Sequence, residues 1–399
     1  ADAEAYREKV QAFLAEKLPS NWKGMGALEG DELTRFVTEW RKVLYEADYL
    51  APGWPVEYGG AGLSATEQVI LAEEFARAGV PTGGPNDVFG IQMLGNTLLM
   101  WGSDEQKAHY LPRILSGEDT WCQGYSEPDA GSDLGNVGLR AELDGDEWVL
   151  NGQKIWTSAG HLADHIFTLA RTDPDAPKHK GISFLLVPMD QPGIEVRPIK
   201  MISGDSEFNE VFYTDARCPK ENVVGGVNNG WGVAMSLLGF ERGEAAATGP
   251  IRYQAELERL IELARAKGVA DDPVIRQKLA WCHSKVQIMK YLGQRTLTQF
   301  LAGHHPGPDG AISKLYWSEY HRVVTELGVD ILGADALYTE GRPPSSAFQT
   351  DDPGAANSSA SWVGTFLNAR AGTIYAGSSQ IQRNIIGEMI LGLPKEPRV

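Results

Sequence analysis

The chain has 399 residues, 42% hydrophobic and 9% aromatic, which is ample material for a large core and incompatible with a disordered chain. Its length allows two or three structural domains of about 150 residues each. Thirty-six Lys and Arg against 53 Asp and Glu leave a net charge of −17, which argues against nucleic acid and anionic membrane as partners.

Residues 1 to about 119 read as helical. Tyr6, Val10, Phe13 and Leu14 recur at helical spacing amid charges. Ser64 with Glu67, and Ser103 with Gln106, have capping-box spacing ahead of apolar runs. Turn-rich Gly53-Trp54-Pro55 and Tyr58-Gly59-Gly60 fall between the helices. From about 120 to 230, short β-branched and aromatic runs predict strands at 147–150, 165–170, 182–187, 194–199 and 210–213. Asp144-Gly145-Asp146, Asn151-Gly152 and Pro192-Gly193 are the predicted turns, and the pattern reads as an antiparallel barrel or sandwich. From about 231, helices are expected at 255–266, 273–300 and 311–327, and the Pro/Gly/Ser-rich patch 341–361 reads as a surface excursion. The expected organisation is α+β: a helical stretch 1–119, a β stretch 120–230 and a second helical stretch 231–399.

The three cysteines, Cys122, Cys218 and Cys282, are scattered and odd in number, so neither a disulfide framework nor a zinc spacing is read, and a reducing compartment is expected. Apolar runs such as 182–188 are too short to span a bilayer, and the N-terminus lacks the charged-then-apolar pattern of a signal peptide. No P-loop is present, and no G-x-G-x-x-G links a strand to a helix. The eight histidines include no H-E-x-x-H pair, and His304-His305 in its Gly/Pro surroundings reads as a solvated turn, so no metal site is expected.

The most informative segment runs from Gly124 to Gly160. It holds Tyr125-Ser126-Glu127-Pro128-Asp129-Ala130-Gly131-Ser132-Asp133 and then Asn151-Gly152-Gln153-Lys154-Ile155-Trp156-Thr157-Ser158. Either alone reads as an ordinary turn, the second as a hairpin turn entering a strand. Together they closely resemble the acyl-CoA dehydrogenase family. The resemblance extends through Trp54-Pro55 with Tyr58-Gly59-Gly60-Ala61-Gly62, Glu105-Gln106-Lys107, Pro219 to Val223, Gly230-Trp231-Gly232, and Tyr375-Ala376-Gly377-Ser378-Ser379-Gln380-Ile381-Gln382-Arg383-Asn384. It implies an N-terminal helical domain, a central antiparallel β-barrel domain and a C-terminal helical bundle.

The resemblance also implies FAD-dependent α,β-dehydrogenation of an acyl-CoA thioester. A carboxylate takes the α-proton, the β-hydride passes to flavin N5, and an electron-transferring flavoprotein receives the electrons. By the same resemblance Gln123, Tyr125 and Ser126 line the isoalloxazine, and Ser132 lies nearer the substrate or pyrophosphate. Trp156 and Ser158 meet the flavin from the strand domain, although a core indole is the plainer reading of Trp156. Ser378 and Gln380 stand near the phosphates or adenosine, where backbone N–H groups at a helix start suit an anion. Arg242, Tyr375 and Ala376 fall at the substrate, with the position-376 backbone N–H and a flavin ribityl hydroxyl polarising the thioester carbonyl. The location implied is the cytoplasm of a bacterium, or the mitochondrial matrix of a eukaryote.

Two departures from the family pattern stand out. Many members carry the base between the Tyr and Gly of the C-terminal signature, where this chain has Ala376. Isovaleryl-CoA and long-chain dehydrogenases place it in a Glu-Arg pair instead, and Gly239-Phe240-Glu241-Arg242 matches that placement. Glu241 is therefore the candidate base, with Glu244 the nearby competitor. Homotetrameric relatives hold the ADP half of the flavin with an Arg-x-x-Phe-Gly segment and a Gln-x-x-Gly-Gly-x-Gly segment from a neighbouring subunit. Here the second reads Asp330-Ile331-Leu332-Gly333-Ala334-Asp335-Ala336, and the first has no clean match, Arg276 being a doubtful substitute. A homotetramer or an α2β2 heterotetramer with a related subunit is expected, the second as in actinobacterial steroid side-chain dehydrogenases. Alternatives are an acyl-CoA oxidase using O2 and a non-catalytic partner subunit.

Overall fold

The computed structural model describes residues 2–240, 242–302, 307–343 and 349–395. Its first helices are α1 (Asp2–Lys17), α2 (Gly30–Glu46), α3 (Ala65–Ala78), α4 (Asn96–Trp101) and α5 (Asp104–Ser116). The strands are β1 (Trp121–Gly124), β2 (Arg140–Asp144), β3 (Glu147–Ser158), β4 (His165–Arg171), β5 (Ile182–Pro188), β6 (Ile194–Pro198), β7 (Phe208–Pro219) and β8 (Val223–Val224). Then come α6 (Gly230–Phe240), α7 (Arg242–Ala266), α8 (Pro273–Leu301), α9 (Gly310–Leu332), α10 (Ser359–Ala369) and α11 (Ser379–Ile385). Both capping boxes form: Ser64 and Ser103 accept from the Glu67 and Gln106 amides, and those side chains accept in return. No helix among the described residues is long and apolar enough to cross a membrane. His304-His305 lies outside the described residues.

By contacts the chain divides into two compact units, one of Ala1–Val37, Ser64–Pro81 and Arg242–Val399, the other of Thr38–Leu63 and Thr82–Glu241. The second is built on a mixed sheet in the order β6-β7-β3-β2-β4-β5-β8, with β1 paired to β4. Most pairs are antiparallel; β1 and the end of β2 run parallel to β4. Strands β4 and β5 are buried on both faces, which explains the continuous apolar run of β5, whereas β3 and β7 alternate. Cys122, Leu139, Trp148, Leu150, Ile166, Leu185, Val187, Val211 and Tyr213 fill this core.

The expected hairpin turn at Asn151-Gly152 is corrected, because both residues lie inside β3. Between Leu150↔Ala216 and Gly152↔Tyr213, three steps of β7 face two of β3, so the irregularity is a bulge in β7. Asp215 takes it up with φ +52°, fixed by paired Asn151–Asp215 hydrogen bonds of 2.9 Å. The turns at Gly145 and Gly193 do form, each glycine with positive φ.

In the other unit α7 packs along α8, and Gly293 makes this possible. A Cβ there would lie 2.2 Å from the Ala246 carbonyl, the group left without its helical donor by Pro250. The predicted surface excursion at 341–361 is also corrected. Thr350, Asp351 and Asp352 are buried, with the Thr350 hydroxyl donating to the buried Glu256 carboxylate, which also meets His321 Nε2 at 2.9 Å. Arg259 donates to the Thr350 and Ala356 carbonyls. This polar network draws the loop inward, where its composition alone reads as solvated.

Candidate functional site

In the sheet unit, the end of β1 and the turn after it are tied to β3 and β4 by backbone and side chain together. The Ile155 N–H donates to the Ser126 carbonyl (2.9 Å), and Thr168 Oγ1 donates to the Gly124 carbonyl (2.7 Å). Lys154, fully buried, donates from Nζ to the Tyr125 carbonyl (3.1 Å) and to Glu127 Oε1 (2.7 Å). Glu127 also accepts from the Gly138 and Leu139 amides (2.6 and 2.9 Å). Burial pushes the Lys154 ammonium down to about 8, against the opposing pull of Glu127.

The sequence reading gave neither Lys154 nor Glu127 a role. A signal was present, since Lys154 shares the strand parity of the inward Trp148 and Leu150, and an inward lysine needs a partner. Tyr125 is buried edge-on to Phe167 (6.1 Å) and Phe184 (6.5 Å).

Trp156 lies where β3 bulges. Between Lys154↔Val211 and Thr157↔Asn209, three steps of β3 face two of β7, and Trp156 takes up the extra residue with φ +62°. Without the bulge, parity would turn the indole inward. With it, Thr157 is buried and Trp156 is 56% exposed, edge-on to Phe208 at 6.2 Å. A left-handed tryptophan costs about 1–2 kcal/mol, and such strain concentrates at functional surfaces. The core-indole reading of Trp156 is thereby set aside. Ser158, half-buried, ends the strand opposite Phe208, while Ser132 is exposed in the loop beyond Ala130.

The buried polar groups of this unit without a hydrogen-bond partner among the described residues include Gln123 Nε2 on β1 and Thr157 Oγ1 on β3. Leaving such groups buried and unpaired costs about 1–3 kcal/mol each. A planar ligand with polar edges, lying on an exposed indole and supplying acceptors, fits this set. Gln123, Ser126, Trp156, Thr157 and Ser158 are the residues here that could hold a flavin ring.

The C-terminal signature belongs to the other unit. Ala371–Thr373 forms a 3-10 turn, and the Ile374 and Tyr375 amides both donate to the Ala371 carbonyl (2.8 and 3.1 Å). Ala376 then takes φ +50° and Gly377 φ +88°. Gln382 Nε2 lies 3.3 Å from both the Ala376 and Gly377 carbonyls. The Ala376 N–H donates to no protein acceptor among the described residues. Tyr375 and Gln380 are exposed, and Ser378 caps α11 by accepting from the Ile381 amide (3.3 Å). Glu241 lies outside the described residues, as do the side chains of Arg242 and Glu244.

Family models match the chain in order: acyl-CoA dehydrogenase N-terminal domain at residues 1–118, middle domain at 122–216 and C-terminal domain at 228–391. The chain is 43% identical over 402 aligned positions to acyl-CoA dehydrogenase IpdE1 of Mycobacterium tuberculosis (strain ATCC 25618 / H37Rv), covering 100% of this chain and 99% of that protein. Among solved structures it is similar to the Tcur3481-Tcur3483 steroid ACAD, with TM-score 0.80, 34% identity and coverage of 99% and 98%. It is also similar to the ChsE4-ChsE5 complex from Mycobacterium tuberculosis, with TM-score 0.76, 30% identity and coverage of 99% and 98%. The chain therefore belongs to the acyl-CoA dehydrogenase family, flavoprotein oxidoreductases that depend on FAD and act on the CH–CH bond of an acyl-CoA.

Proposed function

We propose that the chain dehydrogenates an acyl-CoA thioester across its α and β carbons with Glu241 as base, and that an electron-transferring flavoprotein takes the electrons. The observation carrying this reading is the left-handed Ala376, whose N–H has no protein acceptor among the described residues, in a turn held through the Ile374 and Tyr375 amides and the Ala376 and Gly377 carbonyls. That N–H donates to the thioester oxygen. The Glu241 carboxylate takes the α-proton as the C–H pair moves toward the carbonyl, whose growing negative charge the amide stabilises. A backbone donor serves with any side chain at 376. Ala376 itself cannot act as a base, and the Glu241-Arg242 pair stands where isovaleryl-CoA dehydrogenases carry theirs.

Gln123, Tyr125, Ser126, Trp156 and Ser158 hold the flavin ring in this reading, Ser378 and Gln380 lie toward its phosphates or adenosine, and Ser132 lies toward the substrate. FAD, when bound, supplies the acceptor for the β-hydride. Trimming position 376 to a methyl, with Gly239 and Gly243 four apart, leaves room for a bulky, branched or steroid acyl group.

The partner is a non-identical subunit of an α2β2 assembly. Asp330 and Asp335 stand where a donated pyrophosphate site would be cationic. Lys278 (2.8 Å from Asp330) and Lys267 are engaged with these carboxylates, not free to meet phosphate. The similarity to a ChsE4-ChsE5 complex supports the same arrangement.

The test is anaerobic addition of butyryl-, isovaleryl-, octanoyl- and steroid side-chain CoA esters to protein co-expressed with its genomic neighbours. At least one ester is expected to bleach the flavin, with reoxidation by an artificial acceptor faster than by air. Fast reoxidation in air marks an oxidase instead, and no bleaching by any ester marks a non-catalytic subunit. A tetramer with one FAD per chain from this chain expressed alone would overturn the heteromeric assembly.

A further inference from the structure

The left-handed turn at Ala376 and Gly377 is held from α9. Lys314 Nζ donates to the buried Gly372 carbonyl at 2.8 Å, and the same ammonium lies 5.8 Å from the ring centres of both Trp317 and Tyr375. Five residues on, Glu319 takes the far side of the turn, accepting from Ser379 Oγ (2.8 Å) and facing Arg383 (3.4 Å). Lys314 has no carboxylate partner within ion-pair distance among the described residues. Its ammonium therefore sits half-buried on a carbonyl and two aromatic faces, all belonging to the segment just before Ala376 or to the helix beneath it. Burial pushes it down to about 8, which shows how much solvent it has given up for that position.

A strained residue keeps its conformation only where its surroundings over-determine it. Gln382 fixes the carbonyls of Ala376 and Gly377, and Glu319 fixes the exit. Between Gly372 and Tyr375, the fixing group contributed by α9 is Lys314.

We propose that Lys314 is a positioning residue for dehydrogenation, pinning the Gly372–Tyr375 segment so that the Ala376 N–H is held ready for the thioester oxygen. This rests on the polarising role of that N–H proposed above. It acts through the backbone and does not touch the substrate. A donor displaced by about 1 Å loses much of its effect, on the order of 10²-fold at a reacting centre.

The test is equilibrium binding to the assembled holoenzyme in a Glu241→Gln background, which prevents turnover. The probes are the CoA ester that bleaches the flavin fastest and its thioether counterpart, in which CH2 replaces the carbonyl. The unsubstituted background is expected to prefer the thioester. Lys314→Met is expected to lower that preference about tenfold or more while leaving thioether affinity unchanged. A retained preference in Lys314→Met overturns the role of Lys314 and leaves that of Ala376 standing. No preference in the unsubstituted background overturns both. If Lys314→Met binds neither probe, Lys314→Gln, which is neutral and shorter, decides by the same comparison: a reduced preference supports the proposal and an unchanged one overturns it.

Discussion

Glu241→Gln is expected to slow anaerobic flavin reduction by an acyl-CoA ester about 10²–10⁴-fold while flavin stays bound. The carboxylate is asked for one act, removal of an α-proton that is weakly acidic until its carbonyl is polarised. Gln is nearly isosteric but cannot accept that proton. Stopped-flow absorbance on the purified variant gives the rate, and the visible spectrum before mixing gives the flavin content. Full turnover by Glu241→Gln would remove it as the base and turn attention to Glu244. Loss of flavin instead would show that Glu241 supports the cofactor site.

Lys154→Met is expected to destabilise the sheet unit by about 3–5 kcal/mol, the usual effect of removing one partner from a buried ion pair. Glu127 then keeps its two backbone amides but loses its cation, and the Tyr125 carbonyl loses its donor. A double replacement at 127 and 154 recovers little, because the Gly138 and Leu139 amides lose their acceptor as well. Because Tyr125-Ser126 and Ile155-Trp156 are joined through this pair, reduced flavin content should accompany the loss in denaturant unfolding. The pH dependence has a definite sign. The folded-state value of Lys154, about 8, lies below its ordinary 10.5, so between the two the unfolded chain binds more protons. The contribution of Lys154 to stability therefore rises with pH across that window. The wild type should gain on Lys154→Met from pH 8 toward 10.5, and a constant difference would argue against the lowered value of Lys154.

Much of the fold was legible because its signals are local. The capping boxes at Ser64 and Ser103 involve residues three apart, and both form as read. The apolar run at 182–187 became a strand buried on both faces, and the predicted helix at 273–300 is observed with one further residue. The family-bearing motifs were legible for the same reason, being contiguous. Asn151-Gly152 was misread because the dipeptide favours a turn, while β7 bulges opposite it and keeps β3 running. The 341–361 patch was misread because its composition is polar and flexible, while Glu256, Arg259 and His321 draw its middle into a buried network.

The sequence by itself determined the family, the helix–strand–helix order and the absence of a carboxylate at 376. Only the tertiary structure decided what faces outward. Strand alternation sends Trp156 into the core, and a one-residue bulge against β7 turns it to solvent. Nothing in the composition of Tyr375-Ala376-Gly377 calls for a left-handed alanine, whose carbonyl meets Gln382 while Lys314 holds the Gly372 carbonyl before it. Lys154 reads as one more surface cation until Glu127, 27 residues earlier in the chain, is found 2.7 Å from it. Each of these depends on partners distant along the chain, and local propensity carries no information about partners that only folding brings together.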